Sequence, residues 1–159
     1  MIVKVKTEHN NEWIELTKDI KESIVEVKGL HSFTSTNIEL LLQVKAFLEQ
    51  IPAKLHKSFS AFLTLYFTSN HIHLPILTSM YFHLYMGKYH SKIDFISEYL
   101  IKSNIEEYFF PYINIEKLQQ DLFDEAFDSV IYGNFTYVFR RNVLSPLSKY
   151  KDSIENNQK

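Results

Sequence analysis

A chain of 159 residues with 45% hydrophobic and 23% charged side chains has apolar material for one ordinary domain or two small packed ones, and falls outside the disordered class. The absence of cysteine excludes disulfide frameworks, thiolate zinc sites and a cysteine nucleophile, and it points to a cytoplasmic compartment. A net charge of −2 excludes a uniformly basic or acidic chain, while 13 Phe, 10 Tyr and one Trp supply a core with aromatic surplus for protein contacts.

The N-terminal stretch MIVKVKTEHNNEW is too polar for a signal peptide, and no apolar run approaches the roughly 20 residues of a membrane span. Ile2 to Lys6 alternates apolar and polar residues and predicts a short strand; Ser23 to Lys28 predicts another, with Ile24, Val25 and Val27 as its apolar positions. The intervening EWIELTKDIKE fits either a helical turn or a third strand. A helix follows over STNIELLLQVKAFLEQI, capped by Ser35 or Thr36, with Ile38, Leu41, Leu42, Phe47, Leu48 and Ile51 on one side. Pro52 suits the first turn of a second helix, whose buried face is Leu55, Phe59, Phe62, Leu63 and Tyr66.

TSNHIHLPIL reads as a connector, and LTSMYFHLYMG as a third helix or a buried strand. Ser91 with Asp94 three residues on resembles a capping box and opens a helix over KIDFISEYLIK. Asn114 caps a helix through IEKLQQDLFDEAF. VIY-GN-FTYVFRR is a β-hairpin around Gly133 and Asn134, and the polar segment after Asn142 is a tail. The fold class expected is α+β: a short N-terminal β segment over residues 1–33, a helical middle over 34–86, an acidic α+β unit over 87–142 and a tail over 143–159.

Residues with chemical potential are few. His71-x-His73 with His83 and His90 has chelating side chains, but that stretch holds no carboxylate and matches no zinc spacing, so no metal is assigned. The serines lie in caps and loops, and no nucleophile elbow occurs. Three glycines, at 29, 87 and 133, argue against phosphate-cradling loops. No catalytic residue and no cofactor is assigned, and the chain is read as a binding protein rather than an enzyme.

Charge is unevenly distributed. Leu40 to Ile93 carries five lysines and one glutamate, net +4, while Asp94 to Asp128 carries nine acids and two lysines, net −7. Five lysines are too sparse for a phosphate-neutralising stripe, so direct nucleic-acid binding is not expected. In the acidic part, Asp121, Asp124, Glu125 and Asp128 lie close together, and uncompensated carboxylates at that spacing point to a basic partner.

Two blocks carry a family resemblance. TSTNIELLLQVKAFLEQIPAKLHKSFSAFLTLYFTS holds a helix, the Ile51-Pro52 break and a second helix ending in Ala61-Phe62-Leu63-Thr64. YMGKYHSKIDFISEYLIKSNIEEYFFPYINIEKLQQDLFDEAF with FTYVFRR holds the entry Tyr85 to Ser91, the turn Tyr112-Ile113-Asn114-Ile115, the run Gln120-Asp121-Leu122 and the strand Phe135 to Arg141. In order and spacing the chain from about Ser35 to Arg141 resembles the middle and C-terminal parts of the ArdA family of antirestriction proteins. It departs from the family in a reduced N-terminal subdomain, in Asn114 where Asp is usual, and in lower acidity. The resemblance implies an elongated, non-enzymatic homodimer of plasmid or phage type that mimics DNA and occupies the DNA groove of a host type I restriction-modification enzyme. The residues that would meet the partner are Glu98, Glu106, Glu107, Asp121, Asp124, Glu125 and Asp128, with Tyr108, Tyr112 and Tyr132 as candidate dimer contacts. The alternative is a relative that keeps the fold and inhibits or regulates another host defence protein without DNA mimicry.

Overall fold

The computed structural model describes residues 2–66 and 74–141, which form a mixed α+β fold of five α-helices, one 3₁₀ helix and two three-stranded antiparallel sheets. The first sheet has the order β2-β1-β3, from β1 (Lys4–Thr7), β2 (Ile14–Glu15) and β3 (Ile24–Lys28). The ambiguous EWIELTKDIKE thus supplies a strand of two residues. Strand alternation sends Val3, Val5 and Thr7 inward and leaves Lys4 and Lys6 outward. In β3 the adjacent apolar pair Ile24-Val25 breaks the alternation, and a register shift absorbs it: Thr7 faces Ile24 and Lys6 faces Glu26. Val25 is the extra residue and is left 53% exposed. Gly29 follows at φ +103°, where a β-carbon would lie 2.5 Å from the Ile2 carbonyl oxygen, so only glycine lets the chain leave the strand here.

Helix α1 (Ile38–Gln50) is capped by Asn37, whose side-chain oxygen accepts the Leu40 N–H at 3.0 Å, and not by Ser35 or Thr36. Ser35 instead accepts the Asn37 N–H at 3.1 Å, which fixes the backbone of the capping residue two positions further on. Leu40, Leu41, Val44 and Leu48 are buried, whereas Ile38, Leu42, Phe47 and Ile51 of the expected face are half-buried at the core margin. Helix α2 (Ala53–Tyr66) follows directly after Pro52. Its residues Ser58 to Leu63 are all buried, so the one-sided face expected from the sequence is replaced by a helix enclosed on all sides through its middle. Elements pack around it: Phe59 meets Phe47 of α1 at 4.7 Å between ring centroids, and Phe62 meets Phe139 at 5.7 Å. Helix α3 (Leu74–Leu84) contributes Tyr81, 5.2 Å from the Phe59 ring and hydrogen-bonded through its hydroxyl to Ser58 Oγ at 2.7 Å.

LTSMYFHLYMG is helix and then strand: α3 runs straight into β4 (Tyr85–Tyr89) at Tyr85, and the strand is half-buried rather than buried as expected. β4, β5 (Phe127–Tyr132) and β6 (Phe135–Arg140) form the second sheet in the order β4-β6-β5. The expected hairpin joins β5 to β6, with Gly133 at φ +60°; Asn134 does not adopt a positive φ, so the glycine alone carries the turn's special geometry. Helices α4 (Lys92–Lys102) and α5 (Ile115–Glu125), with a 3₁₀ helix η1 (Glu107–Tyr112) between them, cover this sheet.

The central strand β6 is buried from Thr136 to Phe139, and its alternate side chains enter different cores. Tyr137 and Phe139 join the large core shared by β1–β3 and α1–α3, while Val138 joins Phe95, Ile96, Leu100, Phe123 and Phe127 in a second core under α4 and α5. Residues of the first 33 positions and of the helical middle therefore share one core. The tail after Asn142 and the connector as far as His73 lie outside the described residues, and the last residues expected in that connector, Leu74 to Leu77, belong to α3 instead.

Phe62 stands where α2, α3 and β6 meet, so Phe62→Ala is expected to lower unfolding free energy by about 3–5 kcal/mol. Urea denaturation followed by circular dichroism measures this. A loss below about 1 kcal/mol would show that the helix is not clamped on all sides.

Candidate protein-binding surface

The C-terminal unit is built by local signals that the sequence states openly. Ser91 Oγ accepts the Asp94 N–H at 3.1 Å and donates to the Asp94 carboxylate at 2.9 Å, opening α4 as expected. α4 ends on Asn104 at φ +60°: the Asn104 N–H bonds the Ile101 carbonyl at 3.0 Å and the Ile105 N–H bonds the Leu100 carbonyl at 3.0 Å, a Schellman ending with Asn in the glycine position. Asn114 Oδ1 accepts the Lys117 N–H at 3.0 Å and starts α5. Between the two helices η1 is held to the second core by Phe110, with Ile113 just beyond it, and turns Tyr108, Phe109 and Tyr112 to solvent.

The seven acids singled out in the sequence divide into two groups. Glu98 pairs with Lys102 on α4, and Asp121 with Lys117 on α5 at 3.6 Å, each one helical turn apart. Asp128 is turned inward at the start of β5. It accepts the Tyr66 hydroxyl at 2.8 Å and two Arg141 donors, Nε at 3.0 Å and Nη2 at 2.7 Å. Its carboxylate joins α2 to the second sheet, so it does not belong to the free acidic surface. Glu106, Glu107, Asp124 and Glu125 are exposed and form no ion pair among the described residues. Of the aromatic residues, Tyr108 and Tyr112 are exposed, whereas Tyr132 is half-buried against the large core, its ring 6.1 Å from His31.

Arg141 organises this region, and the sequence reading did not foresee it. Helix α5 has no basic residue in its last turn, where carbonyl oxygens lack partners and carry partial negative charge. Arg141 supplies the missing cation from the far end of β6: Nη1 donates to the Asp124 carbonyl and Nη2 to the Phe123 carbonyl at 3.2 Å. Its N–H also bonds the Ala126 carbonyl at 2.7 Å. The hydrogen bonds of the guanidinium thereby go to backbone and Asp128; it forms no ion pair with the Asp124 or Glu125 carboxylates, and the Asp124 charge acts on it only through space.

Burial, then the hydrogen bond to Asp128 and the charge of that carboxylate, hold the Tyr66 phenol well above its ordinary titration range. Burial likewise pushes Tyr85 up to about 12 and raises Tyr81. His31 shifts downward, first through burial and then through the neighbouring His56 and Lys57.

No grouping of three histidine or carboxylate side chains that could hold a metal occurs among the described residues. His83 and His90 are exposed, the latter with its ring 4.9 Å from Phe135. A shallow depression of about 570 Å³ between α1 and α3 is lined among the described residues by Gln43, Ala46, Phe47, Gln50, Pro75 and Thr78, none of them ionisable. No helix among the described residues is long and apolar enough to cross a membrane. No protein-family model, curated protein or solved structure matches the chain.

Replacing Arg141 by Met removes the α5 end contacts and leaves Asp128 half-paired; the expected loss is about 1–3 kcal/mol in thermal or urea unfolding, and no loss would contradict the stapling role. The tyrosines set an alkaline limit. Above pH 10, the ordinary tyrosine value, the unfolded chain releases phenolic protons that Tyr66, Tyr81 and Tyr85 retain when folded, so the unfolded state binds fewer protons and stability falls. The decline is up to about 1.4 kcal/mol per pH unit for each tyrosine. Tyr66→Phe should make it shallower, as read from urea midpoints across that range; an unaltered slope would exclude Tyr66 as a contributor.

Proposed function

We propose that this chain is a non-enzymatic inhibitor of the antirestriction type, which binds a host type I restriction-modification enzyme through its C-terminal surface, as the likeness to ArdA proteins implies. The observation that carries this reading is the set of four solvent-facing acids, Glu106, Glu107, Asp124 and Glu125, with no ion pair among the described residues. Asp124 and Glu125 stand at the C-terminal end of α5, where the helix dipole disfavours anions by about 0.3–1 kcal/mol each. The hydrogen bonds of Arg141 are directed at carbonyls and Asp128 instead. Anions that the fold leaves without an ion pair can take their counter-charge from a partner.

In this reading the carboxylates compete with DNA phosphates for lysine and arginine side chains in the enzyme's groove, and the partner's counterions are released on contact. The elongated homodimer implied by the family likeness is part of the same proposal. Mimicry is partial, since Glu98, Asp121 and Asp128 are internally neutralised. The exposed rings of Tyr108 and Tyr112 beside the free acids favour a second reading, in which the chain binds a different defence protein by mixed apolar and ionic contacts.

Changing Glu106, Glu107, Asp124 and Glu125 together to Lys should raise the concentration needed to inhibit cleavage by a purified type I enzyme at least about 100-fold, with the circular dichroism spectrum retained. Inhibition at the original concentration by a folded variant would remove the electrostatic mechanism. Complex formation should also weaken steeply between about 50 and 200 mM salt. A flat response selects the second reading.

A further inference from the structure

We propose that Ile105 to Tyr112 is a docking face for an arginine-bearing segment of a protein partner, with guanidinium groups stacked on Tyr108, Phe109 and Tyr112 and paired to Glu106 and Glu107. The inference rests on the reading that the C-terminal unit binds a protein, and it does not depend on which protein. Tyr112 is 85% exposed, Tyr108 61% and Phe109 45%, with Ile105 also exposed beside them. This apolar surface is continuous in sequence, on a segment whose backbone is fixed: Phe110 anchors it in the second core, the Phe109 N–H bonds the Glu106 carbonyl at 3.0 Å, and Ile113 N–H bonds that of Phe110 at 3.1 Å. The Tyr108 and Phe109 rings lie 4.0 Å apart, tilted by 33°. Rings held this way lose little further freedom on binding.

The rest of the fold shows what such rings attract. Lys6 and Lys28 approach the face of Trp13 at 4.8 and 5.7 Å, Lys88 that of Phe135 at 4.1 Å, and Lys92 that of Phe123 at 4.4 Å. The rings of η1 have no such cation among the described residues. From Ser103 to Glu116 the chain carries three acids and no base, so none is available locally. A cationic partner completes both the rings and the carboxylates, whereas the phosphates of a nucleic acid would be repelled by Glu106 and Glu107. Arginine fits better than lysine: its planar guanidinium stacks on a ring and leaves its edge free for a bidentate bond to carboxylate, which a compact ammonium cannot do.

The test uses the full chain with fluorescein-labelled nona-arginine and nona-lysine, followed by fluorescence anisotropy at about 150 mM salt. Nona-arginine should bind at least about fivefold tighter than nona-lysine. Tyr108→Leu, Phe109→Leu and Tyr112→Leu combined keep apolar bulk and should abolish that preference, while Glu106→Gln with Glu107→Gln should weaken both peptides, nona-arginine the more. Equal binding of the two peptides, or a preference surviving the leucine variant, overturns the proposal. So does sedimentation showing that the leucine variant converts a dimer to a monomer, because the face would then be occupied by a second copy. The peptide assay contains no restriction enzyme, so its failure leaves the antirestriction reading standing, and failure of the charge-reversed variant to lose inhibition leaves this one standing.

Discussion

The period-two alternation of one strand is the constraint on which this molecule depends. β6 sends Tyr137 and Phe139 into the core beneath α1–α3 and Val138 into the core beneath α4 and α5. A slip of one residue would exchange these side chains and place a small Val against the aromatic cluster of Phe62 and Tyr81, so both cores fix the same register. Because β6 pairs with β4 on one side and β5 on the other, that register also sets where α4 and α5 sit. The surface carrying the free acids and the exposed rings is therefore positioned by packing that begins in the opposite half of the chain.

The junction is reinforced by charge. Tyr66 at the end of α2, Asp128 at the start of β5 and Arg141 beyond β6 meet in one hydrogen-bonded group, with 62 positions of sequence between the first two and 13 between the last two. A half-buried carboxylate there would be costly alone, and two Arg141 donors with one phenol supply its partners. The same guanidinium closes α5, so a single cation serves the helix end and the interface between cores. This allocation explains the charge pattern of the surface: the base that could neutralise Asp124 and Glu125 is already committed to structure.

Local chemistry made much of the fold legible in advance. The Ser91 and Asn114 caps, the hairpin at Gly133 and the two N-terminal strands each depend on a few adjacent residues, and each is where the sequence places it. What escaped depends either on a choice between neighbouring polar side chains or on partners distant in sequence. The capping oxygen of α1 moved to Asn37 because Ser35 was engaged by the Asn37 backbone, a choice composition alone leaves open. The complete enclosure of α2 was hidden because Ser58 and Ser60 read as polar positions, yet Ser58 is satisfied by Tyr81 from another helix. Asp128 looked like one more surface acid, since nothing near it in the chain announces Tyr66 or Arg141. The 3₁₀ helix over Glu107 to Tyr112 gave no periodic signal, its single anchor being the half-buried Phe110.

The division among the acids bears on the kind of recognition proposed. A surface that imitated a phosphate backbone alone would leave its carboxylates unpaired and its aromatic residues buried. Here three of the seven acids are neutralised internally, by Lys102, Lys117 and Arg141, while large rings beside the free ones face solvent. Ionic attraction between exposed groups is screened within about 8 Å at physiological salt, so four dispersed anions act chiefly in steering and orienting a partner. Rings with fixed backbone and large exposed area contribute where charge alone is weak, because burying them removes apolar surface from water and strengthens any adjacent ion pair as water leaves. In the recognition proposed the two features are complementary on physical grounds: the anions would set which partner approaches, and the aromatic face how firmly it stays.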